Sequence, residues 1–305
     1  MGLEFNVFLD RRIKKSELGL TSIEELRGVA IYKKGSNAVA DSLEALHGYN
    51  LIPCPTYLLV NGRSYSSLED PGWKYAYDTL GERLTLKLER SYDGIRTGNY
   101  VVDIQNGGFF IPFPHFIRKA VNGHELSFGA FPISRAQKDS LLGDKKVYRW
   151  NGNKVEEKKV TLYSYEEFLE ASSDPNFLKD MPVYAVLRTA EQASKTPLGY
   201  RLVGEQLNNP DVIIPCGGKK TLQRMLFNEK VKLHLRNLHV FASFHDRYKN
   251  TDSGRIIILH YGMAGIGCSS DLSSRNSRFV GIVPQSLELL LNEKHAVVWK
   301  ISKKY

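Results

Sequence analysis

The stretch RLTLKLERSYDGIRTGNYVVDIQNGGFFI, from Arg83 to Ile111, decides the fold class. Leu84, Leu86 and Leu88 alternate with Thr85 and Lys87, the period-two pattern of a half-buried strand. Tyr100-Val101-Val102-Asp103-Ile104 and Phe109-Phe110-Ile111 read as further strands, and Gln105-Asn106-Gly107-Gly108 between them reads as a turn. Strands this short and this close in sequence pair antiparallel, because a parallel pair needs a long crossover.

Outward from this stretch the signals stay mixed. Upstream, Ser22 caps a helix start with Glu25 three residues on, Val29 to Lys33 reads as a strand, and Asn37 to Leu46 carries helical periodicity that stops at Gly48. Pro53, Pro55 and Gly62 then punctuate a loop-and-strand region. Downstream, Tyr165 to Ala171 reads as a helix with acids at its front, where they suit the helix dipole. Gly199 to Val203, Val231 to Leu235, His239 to Phe244 and Arg255 to His260 read as strands. Ser286 to Leu291 is a short helix or strand, and Ala296 to Ile301 a closing strand. Antiparallel strands with a few helices predict an α+β fold rather than a doubly wound parallel sheet.

With 305 residues, 42% hydrophobic and 25% charged, the chain has ordinary globular usage and the length for a sizeable core. No apolar run approaches the roughly 20 residues that span a bilayer. The most apolar run, Phe109 to Ile117, is broken by Pro112 and Pro114. Glu4 stands where a signal peptide has its basic region. Cys54, Cys216 and Cys268 form no CxxC pair, so neither a zinc knuckle nor a disulfide framework is expected, and a cytoplasmic setting suits them. Lys and Arg total 42 against 33 acids, and the net charge of +9 favours polyanionic partners. The excess gathers between Gly217 and Arg236, around Lys219, Lys220 and Arg224. That run is either a solvated surface or a face that tracks phosphates.

Three local motifs carry little chemistry. Gly262, Gly265 and Gly267 follow a strand, but their spacing is not the dinucleotide fingerprint and no Lys-Ser/Thr pair makes a P-loop. His234 and His239 would point to opposite faces of a strand, so they and His245, His260 and Asp246 read as core or surface groups. Glu89 to Arg96 resembles the Lys-x-Asp-Gly-x-Arg signature of ligases and capping enzymes, but Ser91 stands where the lysine nucleophile belongs. Serine cannot form the phosphoramidate.

A longer ordered set follows. Arg96 to Asp103 and then Phe110-Ile111-Pro112-Phe113-Pro114-His115-Phe116-Ile117-Arg118-Lys119 resemble the stretch that phage-type and archaeal RNA ligases carry just before their nucleophile. Ala136-Gln137-Lys138-Asp139-Ser140-Leu141 looks like that family's Lys-x-Asp-Gly-Ser-Leu without its glycine. Lys158 and Lys159, then Tyr200 to Glu205, Leu238 to Phe241, Ser286-Leu287-Glu288 and Val298 to Tyr305 resemble its later motifs in order, over residues 96 to 305.

The resemblance implies a ligase-type nucleotidyltransferase core of antiparallel sheets flanked by helices over residues 83–305, with 1–82 as an N-terminal extension or subdomain. It implies ATP-dependent sealing of 5′-phosphate and 3′-hydroxyl ends of RNA, or of DNA, through a lysyl-AMP on Lys138. Arg96 would bind the nucleotide, Lys158, Lys159 and Lys300 would meet its phosphate charge, Glu205 its ribose, and Phe241 its adenine. Glu288 would hold the nucleophilic lysine or a divalent ion, magnesium being the hard cation that phosphates want, and Lys219, Lys220 and Arg224 would bind nucleic acid. The lysine amine would have to be neutral to attack the α-phosphate of ATP. Departures exist: no glycine follows Asp139, Leu289 follows Glu288, and His115 occupies a lysine position. They leave a second expectation open, a non-catalytic nucleic-acid or nucleotide-binding protein with a decayed ligase fold.

Overall fold

A computed structural model describes residues 3–9, 29–65, 77–126, 130–196, 199–202, 207–227, 237–241, 252–259, 265–270, 276–282 and 297–299. The first half runs β1 (Leu3–Leu9), β2 (Val29–Lys34), α1 (Ala38–Gly48), β3 (Ile52–Pro53), α2 (Thr56–Tyr65), β4 (Tyr77–Leu88), β5 (Gly98–Gln105), α3 (Pro114–Asn122), β6 (Phe131–Pro132) and α4 (Arg135–Lys138). The second runs β7 (Lys146–Trp150), β8 (Val155–Lys159), β9 (Thr161–Ser164), α5 (Tyr165–Ala171), β10 (Tyr184–Thr189), α6 (Ala190–Ser194), β11 (Gly199–Leu202), α7 (Pro210–Ile213) and α8 (Lys219–Phe227). It closes with β12 (Asn237–Phe241), β13 (Ser253–Leu259), β14 (Gly265–Ser270), β15 (Asn276–Ile282) and β16 (Val297–Trp299). No described helix is long and apolar enough to cross a membrane.

The strand β4 organises the sheet. One edge pairs antiparallel with β13. The other pairs antiparallel with β5 from Gly81 to Leu88 and meets β15 in parallel at Asp78. Outward from β5 lie β10, antiparallel, and then β9, parallel to β10. Outward from β15 lie β2, β1 and β16. Past β13 come β14, β12 and β11. The sheet is therefore mixed. Its parallel pairs join strands that are separated by helices or long connections, where the tight-turn argument has no force.

The expected boundary between residues 82 and 83 falls inside β4, and buried residues from both sides share one core: Ile31, Leu43 and Leu59 with Leu84, Ile104 and Ile257. Leu84, Leu86 and Leu88 of β4 are buried, as their alternation predicts. Phe109-Phe110-Ile111 is not the strand expected. It is a buried loop whose backbone N–H groups donate to the Glu82 carboxylate, each at 2.8 Å. Asn106 enters that loop at φ 65. Gly108 lies so close to the carboxylate that a Cβ would sit 2.2 Å from its carbon, so the loop admits no side chain there. A buried carboxylate with backbone donors satisfies groups that a strand would otherwise pair with a neighbour.

Candidate functional site

Four buried charges brace the sheet. Arg83 and Asp103 are register partners on β4 and β5, and Arg188 of β10 lies on the same face. Arg83 Nε reaches Asp103 Oδ1 at 2.5 Å, and Arg188 Nη2 reaches Asp103 Oδ2 at 2.9 Å. Asp211, held in α7 under the Asn209 cap, completes the set at 3.0 Å from Arg83 and 2.6 Å from Arg188. All four side chains are at most 4% exposed. Two cations and two anions neutralise one another away from solvent, which fits a brace between sheet and helix rather than a reaction centre.

The sequence-predicted site residues scatter. Arg96 is exposed just outside the small bridge between Tyr92 and Ile95. Lys138, at the end of α4, is 13% exposed, and its Nζ donates to Asp252 Oδ2 at 2.5 Å and to the Lys87 carbonyl at 3.1 Å. Asp252 Oδ1 in turn accepts the Lys87 N–H at 2.7 Å, so Lys138 ties α4 to β4 and the start of β13. The neighbouring Asp139 accepts from the Tyr92 hydroxyl at 2.7 Å and pairs with Arg90, which together hold its carboxyl below the usual range. Lys158 pairs with Glu156 at 2.8 Å, while Lys159 is exposed on β8. Lys219 donates to Asn208 Oδ1 at 2.8 Å, and Lys220 to the Ser173 carbonyl. Arg224 sits in α8 and Phe241 in β12, with their side chains outside the description. Glu205, Glu288 and Lys300 lie outside the described residues. Among the described residues, no group of three His, Cys, Asp or Glu could hold a metal ion.

A different surface emerges at the entry to α3. Pro114 opens that helix, and Pro114, Ile117 and Ala120 form its buried face. His115, Phe116 and Lys119 are therefore left on the outside, one turn apart. Phe116 is 47% exposed, and no other large hydrophobic among the described residues is exposed. Its ring lies 4.1 Å from His115 and 5.4 Å from Phe113, and Phe113 packs edge-on at 5.1 Å against Tyr148 of β7. The β7–β8 register puts Lys146, Tyr148, Glu157 and Lys159 on one face of that hairpin. Lys146 pairs with Glu157 at 2.8 Å, and Arg118 pairs with Asp41 and Glu44 of α1, fixing α3 in place. In sequence, Phe113-Pro114-His115-Phe116 resembles part of a ligase motif. Its apolar, aromatic spelling was visible, but its exposure was not.

No protein-family model and no curated relative matches the sequence. A solved structure described as "Accommodation of massive sequence variation in Nanoarchaeota by the C-type lectin fold" is similar over 84% of this chain and 97% of its own, with a TM-score of 0.56 and 17% identity. The fold is that of a C-type lectin. The C-type lectin fold overturns the expected ligase-type nucleotidyltransferase core. The physical reason is that short motifs in a shared order do not fix strand pairing. The C-type lectin arrangement here is set by long-range ladders, β15 on β2 and β13 on β4, which join residues more than 150 positions apart.

Proposed function

We propose that this chain is a non-catalytic binding protein whose C-type lectin frame carries an exposed surface for a polyanionic partner, single-stranded RNA. The observation that carries the reading is the division of polar groups between frame and surface. Buried polar groups hold the frame together: the Arg83-Asp103-Arg188-Asp211 brace and the Glu82 loop anchor. Exposed side chains away from such contacts change stability little when replaced, so a surface on this frame is free to serve recognition. The solved neighbour fits this division, since in it the C-type lectin fold accommodates massive sequence variation. The +9 charge favours a polyanion such as RNA over a neutral or basic partner. Two buried free thiols, Cys54 and Cys216, suit the reducing conditions of a cytoplasm.

Engagement of the Lys138 amine by Asp252 and the Lys87 carbonyl supports a structural role for it over attack on ATP. Fluorescence anisotropy of a labelled single-stranded RNA across a salt series tests the reading. Binding should weaken steeply and log-linearly with salt. Failure to bind any RNA at low salt would count against the polyanion assignment.

A further inference from the structure

We infer that His115, Phe116 and Phe113, backed by Tyr148, form a stacking platform for the bases of single-stranded nucleic acid, with Lys119 and Lys159 as its phosphate contacts. The inference rests on the binding-protein reading above and names the part of the surface that does the binding. Four rings in succession, with centroids 4.1 to 5.4 Å apart, make a continuous aromatic strip rather than a lone exposed side chain. The strip is rigid, because Pro114 and Ile117 are buried beneath it and Arg118 locks the helix to α1. A preorganised strip loses little entropy when a ligand stacks on it.

The charges around the strip select the ligand. Three acids nearby are engaged, Glu157 with Lys146 and Asp41 and Glu44 with Arg118, while Glu125 lies exposed just past the end of α3. Lys119 and Lys159 are exposed and form no ion pair among the described residues. Lys119 follows Phe116 by three residues and His115 by four, so it stands on the same helix face as the rings. Lys159 shares the hairpin face of Tyr148. Rings flanked by two cations outside any ion pair match a ligand of flat bases strung on phosphates, since every base offers a π-face and every phosphate a charge.

The experiment measures anisotropy of a labelled single-stranded oligonucleotide with the full chain, alongside thermal melting. Phe116→Ala should weaken binding roughly 10-fold or more, as loss of one stacked base predicts, while Phe116→Trp retains it. Lys119→Ala with Lys159→Ala should lower the salt slope by about 1.4, at ~0.7 per single-strand phosphate contact. Heparin, a polyanion without bases, should lose affinity in the lysine pair and not in Phe116→Ala. Oligonucleotide binding unchanged by Phe116→Ala, at unchanged melting temperature, would overturn the platform and leave the binding reading standing. Wild-type protein that binds neither oligonucleotide nor heparin would overturn the reading beneath it. Tight binding of a neutral oligosaccharide, lost in Phe116→Ala, would overturn the choice of ligand.

Discussion

At the scale of single residues, the buried groups decide what the protein tolerates. Asp103 accepts from both Arg83 and Arg188 at no exposure to solvent. Asp103→Asn would leave two guanidiniums facing an amide, and removing one partner of a buried pair costs about 3–5 kcal/mol. Urea unfolding should show a loss of that size, against a near-zero change for the exposed Arg96→Ala. His47 offers a pH test. Its ring stacks on Trp150 at 4.1 Å, and burial pushes its pKa down from 6.5 to about 4. The unfolded chain therefore binds the extra proton between those values, so the stabilising contribution is complete above pH 6.5 and is lost as pH falls through about 4. His47→Phe keeps a ring against Trp150 and removes the titration. Its stability should fall less than wild type's between pH 7 and pH 4, by on the order of 2 kcal/mol.

At the scale of elements, the Glu82 anchor is the most exacting local device. Burial pushes its carboxyl up to about 7, against the pull of the three backbone donors at Ile111, Phe109 and Phe110. A folded pKa raised above 4.5 contributes stability that is complete below 4.5 and is lost as pH rises through about 7. Glu82→Gln turns one acceptor into a donor facing a backbone N–H, so the loop should loosen. Amide exchange at Phe109, Phe110 and Ile111 should accelerate, with about 1–3 kcal/mol lost from stability, and the variant should lack this part of the pH dependence. The same loop shows what sequence could not reveal. Buried loop and buried strand both read as apolar runs, and only the distant Glu82 distinguishes them. Where the cue was local, the reading held: the α1 periodicity, the β4 alternation, and the α5 start, where Ser164 and Glu167 cap each other. The β7–β8 hairpin has no clear sequence signal, because most of its side chains are only half-buried. Its turn is set by Asn151, whose Oδ1 accepts from the N–H groups of Asn153 and Lys154. Lys159 was legible as a candidate cation. Its neighbour Tyr148 was not, because the register that unites them with Phe113 is tertiary.

At the scale of the whole molecule, a buried frame carries an exposed surface. The C-type lectin frame is held by long-range pairing and by buried charge, and neither leaves a trace in short motifs. That is why an ordered set of ligase-like fragments pointed to the wrong core. The surface at α3 rests on buried Pro114 and Ile117 and leaves His115, Phe116 and Lys119 exposed. Lys138 is a strut between α4, β4 and Asp252, and the proposed role is to bind nucleic acid rather than to join it. Intact-mass spectrometry after incubation with ATP and magnesium tests that claim most directly. The account predicts an unchanged mass for the wild-type chain. A gain of one AMP, mapped to Lys138 and lost in Lys138→Ala, would contradict it and restore an ATP-dependent RNA ligase.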